Sequence, residues 1–275
     1  MLYVVATPIG NLEDITLRAL RVLREVDLIA AEDTRHTRKL LSRYEIGTPV
    51  TSYHERNERA KAGVLTRRLE AGEDIALVSD AGTPTISDPG YHLIRAAAEM
   101  GVGVTPVPGV SAATAALSVC GLATDRFVFQ GFLPARQGRR REVLRQLADD
   151  DRTLVLYEAP HRIREALRDM FDVLGDRAAM VGRELTKLHE ELLRGTLSEL
   201  AERLDDVDVK GEFVVVVAGR SERPPVSEEV LRAEIGRLLE AGGTANEVAK
   251  LVARTFSLAK RDVYKRVLEV AKRLP

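Results

Sequence analysis

The chain has 275 residues, 45% of them hydrophobic and 30% charged, with a formal net charge of −1 at pH 7. That composition is globular; it excludes a wholly disordered chain and one that captures polyanions by bulk charge. Cys120 is the only cysteine, which excludes an internal disulfide and a multi-cysteine zinc site, and the longest apolar run, Phe213–Ala218, is far shorter than the roughly 20 residues of a membrane-spanning helix.

The first strand pattern, Leu2–Ala6, follows no basic region or cleavage site, so a cytoplasmic protein is expected. Further strands are predicted at Leu28–Ala31, Val50–Tyr53, Ile75–Val78 and Val104–Val107. Between them lie helical patterns at Thr16–Val26, Thr34–Tyr44, Glu58–Ala71 and Gly90–Met100, the first capped by Thr16 with Leu17, Leu20 and Leu23 on one face. Strands alternating with helices predict crossover connections and a mainly parallel sheet. Ser111–Val119 closes this half as an alanine-rich helix suited to burial.

Beyond Gly121-Leu122-Ala123-Thr124 the pattern changes. Strands are predicted at Phe127–Phe129, Thr153–Tyr157, Ala179–Gly182, Glu191–Gly195 and Phe213–Val217, with helices at 139–148, 161–174 and 197–204, which fits a mixed sheet. The domains expected are 1–123 and 124–220, both α/β, and a helical appendix over 221–275 that begins with the linker-like Ser221–Pro225. In the appendix Glu228–Glu240, Ala245–Arg254 and Ala259–Leu274 read as helices, with a turn at Phe256-Ser257. The last carries an apolar stripe of Val263, Val267, Val270 and Leu274. Lys250–Pro275 has a net charge of +6. Two readings stay open for this basic tail: a helix-turn-helix-like element, or a packing and dimer element. A second basic cluster is Arg136, Arg139, Arg140, Arg141 and Arg145.

Ligands of parallel α/β sheets bind beyond the carboxyl ends of strands. Six loops after predicted strands carry glycine, proline and small polar residues: Thr7–Asn11, Glu32–Arg35, Ser79–Pro84, Pro108–Ala112, Gly131–Pro134 and Tyr157–Arg162. Their number points to a ligand cleft between the two halves. No GxGxxG follows a strand and no GxxxxGK[ST] or GxSxG occurs, which excludes a dinucleotide Rossmann site, a P-loop and a nucleophile elbow. The five histidines show no metal-ligand spacing, so no metal is expected, and Cys120 reads as a small core residue.

In this order TPIGN, EDTRHT, SDAGTPTISDPG, PGVSA, GFLP and YEAPHR resemble the tetrapyrrole methylase superfamily over residues 1 to about 220. Corrin and sirohaem enzymes of that superfamily usually carry GxGPGDP at the first loop. Ala6–Asn11 stands there instead, which argues against a tetrapyrrole substrate, and within the superfamily the motif set most resembles the branch that methylates the cytidine 2′-oxygen of small-subunit (16S) ribosomal RNA. The resemblance implies a class III methyltransferase: two α/β domains with S-adenosylmethionine in the cleft between them, commonly as a homodimer. It assigns the cofactor to Pro8, Ile9 and Gly10, to Asp80, Gly82 and Thr83, to Ser111 and Ala112, to Leu156 and Tyr157, to Met180 and Val181, and to Gly211. Leu156, Met180 and Val181 would supply an apolar slot for adenine.

A ribose hydroxyl is a weak nucleophile near neutral pH, so a proton acceptor is needed. The candidates are Glu158 and Glu184, favoured because both follow strands of the second half, and Glu32 and Asp33, with Lys187 among the catalytic cations. Arg35, Arg162, Arg139, Arg140 and Arg141, and in the tail Lys260, Arg261 and Lys265, are expected to contact the partner, ribosomal RNA or the assembled 30S subunit. The rival readings are a tetrapyrrole C-methyltransferase and a non-catalytic RNA- or nucleotide-binding module.

Overall fold

The computed structural model describes residues 1–205, 210–220, 228–256 and 260–271. Two compact units divide the chain, Met1–Arg220 and Ser221–Pro275.

In the first unit, β1 (Leu2–Val5), β2 (Leu28–Ala31), β3 (Val50–Ser52), β4 (Ile75–Val78) and β5 (Val104–Val107) form an all-parallel sheet in the order β3-β2-β4-β1-β5. Each connection is a helix: α1 (Leu17–Glu25), α2 (Thr34–Arg43), α3 (Glu58–Glu70) and α4 (Tyr91–Glu99). Successive side chains of a strand face opposite ways. Ile29 and Ala31 therefore join the α1/α2 core with Leu20 and Leu23, while Leu28 and Ala30 join the α3/α4 core with Leu65 and Leu93. Burial on both faces explains why these strands read as short apolar runs. Thr16 caps α1 as expected, its hydroxyl accepting from the Ala19 N–H at 3.0 Å.

The second sheet follows α5 (Ala112–Val119). It comprises β6 (Phe127–Phe132), β7 (Thr153–Glu158), β8 (Ala178–Arg183), β9 (Glu191–Thr196) and β10 (Phe213–Val217) in the order β6-β7-β10-β8-β9, and only β6 and β7 pair parallel. The change of sheet straddles residue 123. Yet α5 packs its Ala113, Ala116 and Leu117 on Val155, Met180, Val214 and Val216 of the second sheet, which joins the two sheets in one unit. The far face is covered by α6 (Gln137–Leu147), α7 (Ile163–Leu174) and α8 (Leu197–Asp205).

Arg140 corrects an expectation. It is fully buried, its Nε donating to Asp169 at 2.7 Å and its terminal nitrogen to Glu165 at 3.3 Å, so it is closed to RNA. Asp169, 1% exposed, also accepts from Gln137 at 3.1 Å and from Arg141 at 2.6 Å, and Arg141 reaches Asp172 as well. The expected arginine patch is thus in part a clamp between α6 and α7. Arg136, Arg139 and Arg145 are exposed.

In the second unit α9 (Glu228–Glu240), α10 (Ala245–Phe256) and α11 (Lys260–Ala271) enclose a core of Leu231, Ile235, Val248, Val252, Val263 and Val267, with Val270 packed against it. Phe256, expected in a turn, is still helical. Lys265 is exposed, whereas the side chains of Arg254, Lys260 and Arg261, the segment Ser221–Pro225, Ser257 and residues 272–275 lie outside the described residues. No helix among the described residues is long and apolar enough to cross a membrane.

Candidate active site

The strand order sets β4, β1 and β5 side by side, so the loops that leave their carboxyl ends are neighbours. Thr7 and Gly82 bridge them: the Thr7 N–H donates to the Gly82 carbonyl at 2.8 Å and the Gly82 N–H to the Thr7 carbonyl at 2.9 Å. The Thr7 hydroxyl adds a bond to the Ser79 carbonyl, and the Thr83 hydroxyl one to the Val110 carbonyl. From the second sheet, β6 and β7 end at Phe132 and Glu158, while the antiparallel β10 begins at the same edge, Phe213 opposite Glu158.

Between these edges lies a cavity of about 340 Å³. Its lining includes Ile9, Ala81, Gly82, Thr83 and Asp88, Ser111 and Ala112, Phe132, and Tyr157 to Pro160 with Glu212, Phe213 and Val214. The size suits a small-molecule ligand. Of the residues assigned from the sequence, Ile9, Gly82, Thr83, Ser111, Ala112, Tyr157 and Glu158 line it. Tyr157 also joins the two walls: its hydroxyl accepts from the Ala113 N–H at 3.1 Å, so a second-sheet side chain caps α5. Burial raises the pKa of that phenol.

Others sit elsewhere. Leu156 and Val181 face away from the cavity, in the core beneath α6, α7 and α8, because strand alternation turns them opposite to Tyr157 and Met180. Met180 has the near face but is fully buried among α5 and its neighbours, outside the lining. The proposed adenine slot of these three side chains is therefore not formed. Pro8 is buried, and Gly10 backs on Lys187, whose Cγ would stand 2.3 Å from a Cβ there. Gly211 likewise makes room for Glu184.

The carboxylates divide by environment. Glu184, at φ 50°, accepts from Lys187 Nζ and from the Glu212 N–H, both at 2.9 Å. Burial pushes its carboxyl up, but these bonds outweigh it and hold it below the usual range. Lys187 is occupied by Glu184 and Glu212. Asp33 is held low by the Arg35 guanidinium, which it pairs at 2.7 Å, and Arg35 is otherwise exposed. Asp80 accepts from the Asp33 N–H at 2.9 Å, and Glu32 faces the Asp80 N–H. Burial, then the Asp80 charge, raises the pKa of Glu32. None of Glu32, Asp33, Asp80 and Glu184 lines the cavity.

Glu158 does. Its Oε1 accepts from Arg162 at 2.8 Å and from the Ala159 N–H at 2.9 Å, while the buried Oε2 has no partner. Arg162, expected to contact RNA, is thus tied to Glu158 and largely covered. Asp88 was missed as a site residue although it stands in the SDAGTPTISDPG stretch. Burial, and then the negative charge of Glu32, pushes its carboxyl up to about 7. A hydrogen bond from Ser79 pulls the other way. Phe132 and Phe213 were missed as well. No group of metal-ligating side chains occurs among the described residues.

Comparison with known proteins gives this geometry its context. The chain is 49% identical over 273 residues to the ribosomal RNA small subunit methyltransferase I of Synechocystis, covering 98% of each chain. It is 49% identical over 274 residues to the protein of that name from Pseudomonas aeruginosa, covering 98% of this chain and 96% of the relative. Among solved structures, a diphthine synthase aligns with a TM-score of 0.62 at 18% identity, over 80% of this chain and 90% of that one. A uroporphyrin-III C-methyltransferase of Thermus thermophilus, complexed with S-adenosyl homocysteine, aligns at 0.56 and 21% identity, over 78% and 96%. At those identities the likeness is one of fold. The family model described as tetrapyrrole (corrin/porphyrin) methylases matches residues 1–201, and the chain belongs to that family.

Proposed function

We propose that the chain methylates the 2′-oxygen of a cytidine ribose in small-subunit ribosomal RNA with S-adenosylmethionine as donor. The observation that carries the reading is the cavity between the facing edges of two sheets, in a chain whose full-length relatives bear the name of an rRNA methyltransferase. Its lining fits the cofactor. The backbone at Gly82 and the start of α5 at Ser111 and Ala112 suit polar and anionic atoms. The Asp88 carboxyl suits hydroxyl or ammonium donors, and Ile9, Phe213 and Val214 offer apolar wall.

When bound, S-adenosylmethionine supplies an electrophilic methyl group. The chain's part is to hold the ribose hydroxyl in line and to receive its proton. Glu158 is assigned that role. Its Oε2 is a buried acceptor without a partner, which costs free energy until a donor satisfies it, and Arg162 anchors the other oxygen. Glu184 and Lys187 act instead as a brace for Gly10 and Gly211. The reading extends to a cytoplasmic homodimer that acts on the RNA or the assembled 30S subunit, with Arg139 and Lys265 among its exposed cations.

The test is transfer of tritium from methyl-labelled S-adenosylmethionine to 30S subunits from a strain lacking this protein, followed by alkaline hydrolysis. Label in an alkali-resistant dinucleotide supports 2′-O-methylation. Cofactor binding by calorimetry without any incorporation would overturn it. Glu158→Gln should lower kcat while cofactor affinity holds; an unchanged rate removes Glu158 as acceptor. Sedimentation equilibrium tests the dimer.

A further inference from the structure

Residues three apart on a regular strand face opposite sides of the sheet. Phe129 and Phe132 of β6 do not. The register against β7 shifts between Phe129 and Gly131, and this bulge returns Phe132 to the face that carries Phe129. Both rings make T-shaped contacts with Tyr157, at centroid distances of 5.0 and 5.6 Å. The bulge requires glycine twice over: Gly131 has φ 70°, and a Cβ there would meet Ser87 Oγ at 2.8 Å. Ser87 is itself left-handed, at φ 65°. The bulge that turns Phe132 thus sits against a non-glycine residue held in the left-handed region.

That side chain gains little from burial. Phe129 packs into the core under α5, but Phe132 is 50% exposed and lines the cavity, together with Ile86, which is 40% exposed. Tyr157 packs T-shaped against the Phe132 ring, half of whose surface stays exposed. The chain then leads to the start of α6, where Arg136 and Arg139 are exposed and take part in no ion pair among the described residues. A flat aromatic surface at a cavity, followed by unpaired arginines, matches single-stranded nucleic acid, whose bases stack on aromatic faces while cations hold the phosphates. An apolar peptide side chain would call for a closed pocket and has no use for the cations.

We infer that Phe132 is the platform on which a pyrimidine base of the RNA acceptor stacks, with Arg136 and Arg139 on neighbouring phosphates. This inference rests on the RNA reading above and adds the residue that holds the target base. The β6 bulge is then a device for substrate placement: it sets the stacking surface beside the Glu158 strand end, so that a base held there brings its own ribose to the cavity.

The test uses the full chain with Phe132→Ala, Phe132→Leu and Phe132→Trp. Leu keeps the apolar bulk without the aromatic face and guards against a folding defect in the Ala variant. The probe is a single-stranded RNA oligonucleotide containing the fluorescent base pyrrolocytidine, whose emission is quenched on stacking. Wild type and Phe132→Trp should quench it. Phe132→Ala and Phe132→Leu should bind the oligonucleotide about tenfold more weakly and without quenching. Their affinity for S-adenosylmethionine by calorimetry should stay within twofold of wild type, and their loss of methyl transfer to 30S subunits should lie mainly in KM for the subunit. Equal quenching by Phe132→Leu and wild type overturns the inference. So does an equal loss of cofactor affinity, which would place Phe132 in the cofactor site. Quenching by a wild type that methylates no RNA would leave the platform standing and remove the methyltransferase reading, whereas methylation without quenching would do the reverse.

Discussion

Replacing Arg140 by Met keeps the bulk of the stem and removes the guanidinium from a site with no water access. Asp169, 1% exposed, would keep Arg141 and Gln137 but lose its 2.7 Å bond from Arg140 Nε, and Glu165 would lose its partner on α6. Breaking a buried pair by removing one member costs about 3–5 kcal/mol. With two of three donors left to Asp169, the lower end applies, about 3 kcal/mol. Urea unfolding followed by circular dichroism, with a slope of about 3 kcal/mol/M, would then show a midpoint about 1 M lower. Burial alone would raise the pKa of Asp169, but its hydrogen bonds from Arg141 and Arg140 hold it low. The stability it brings is present above the unfolded carboxylate pKa of about 3.9 and lost as pH falls through the lower folded value, so the gap between wild type and variant should narrow in acid. Adding Asp169→Leu should recover most of the loss, because no charge is left stranded. A midpoint within about 0.2 M of wild type for the single variant, or a double variant weaker than the single one, would refute the clamp.

Gly131→Ala should destabilise by about 1–2 kcal/mol for the left-handed conformation alone, and should also abolish pyrrolocytidine quenching; full quenching would mean that the bulge does not aim Phe132. Asp88→Asn should remove a pH dependence. The folded-state pKa is raised to about 7, so the wild type loses stability as pH rises from the unfolded value towards 7, and the variant should gain on it over that window. Parallel stability curves from pH 4 to pH 8 would contradict the buried setting of that carboxyl. Ending the chain at Arg220, the last residue of the first compact unit, should leave cofactor binding intact and weaken affinity for 30S RNA; equal RNA affinity would reassign the tail to dimer packing.

The first sheet was legible because its inner strands β2 and β4 are covered on both faces, which makes them continuous apolar runs between helical patterns. The loops that build the cavity were legible as clusters of glycine, proline and small polar residues after strands. Side-chain direction was harder. Leu156 and Val181 come from the right strands, but period-two alternation sends them to the far face; counting from Tyr157 shows it for Leu156, while Val181 lies on another strand. Arg140 was read as one of a surface cluster. Its spacing to Leu144 and Leu147 puts it on the apolar stripe of α6, the signal that it is buried. The strand predicted over Phe127–Phe129 runs on to Phe132, and nothing local announces that a bulge carries the pairing that far. The state of Glu184 and Lys187 depends on Gly10 and Gly211, far away in sequence, and was not legible at all.

The two walls of the cavity are written in different alphabets. On the first-sheet side the Thr7–Gly82 bridge locks main chain to main chain, and the exposed surface is largely backbone and small residues. On the second-sheet side it is Phe132, Tyr157, Glu158 and Phe213, large or charged side chains at strand ends. A point substitution at Phe132 or Phe213 can rewrite the second wall without touching that bridge, whereas Tyr157 is tied to α5. Substitutions at the strand ends can therefore alter what the cavity admits while the main-chain bridge of the first wall stays in place.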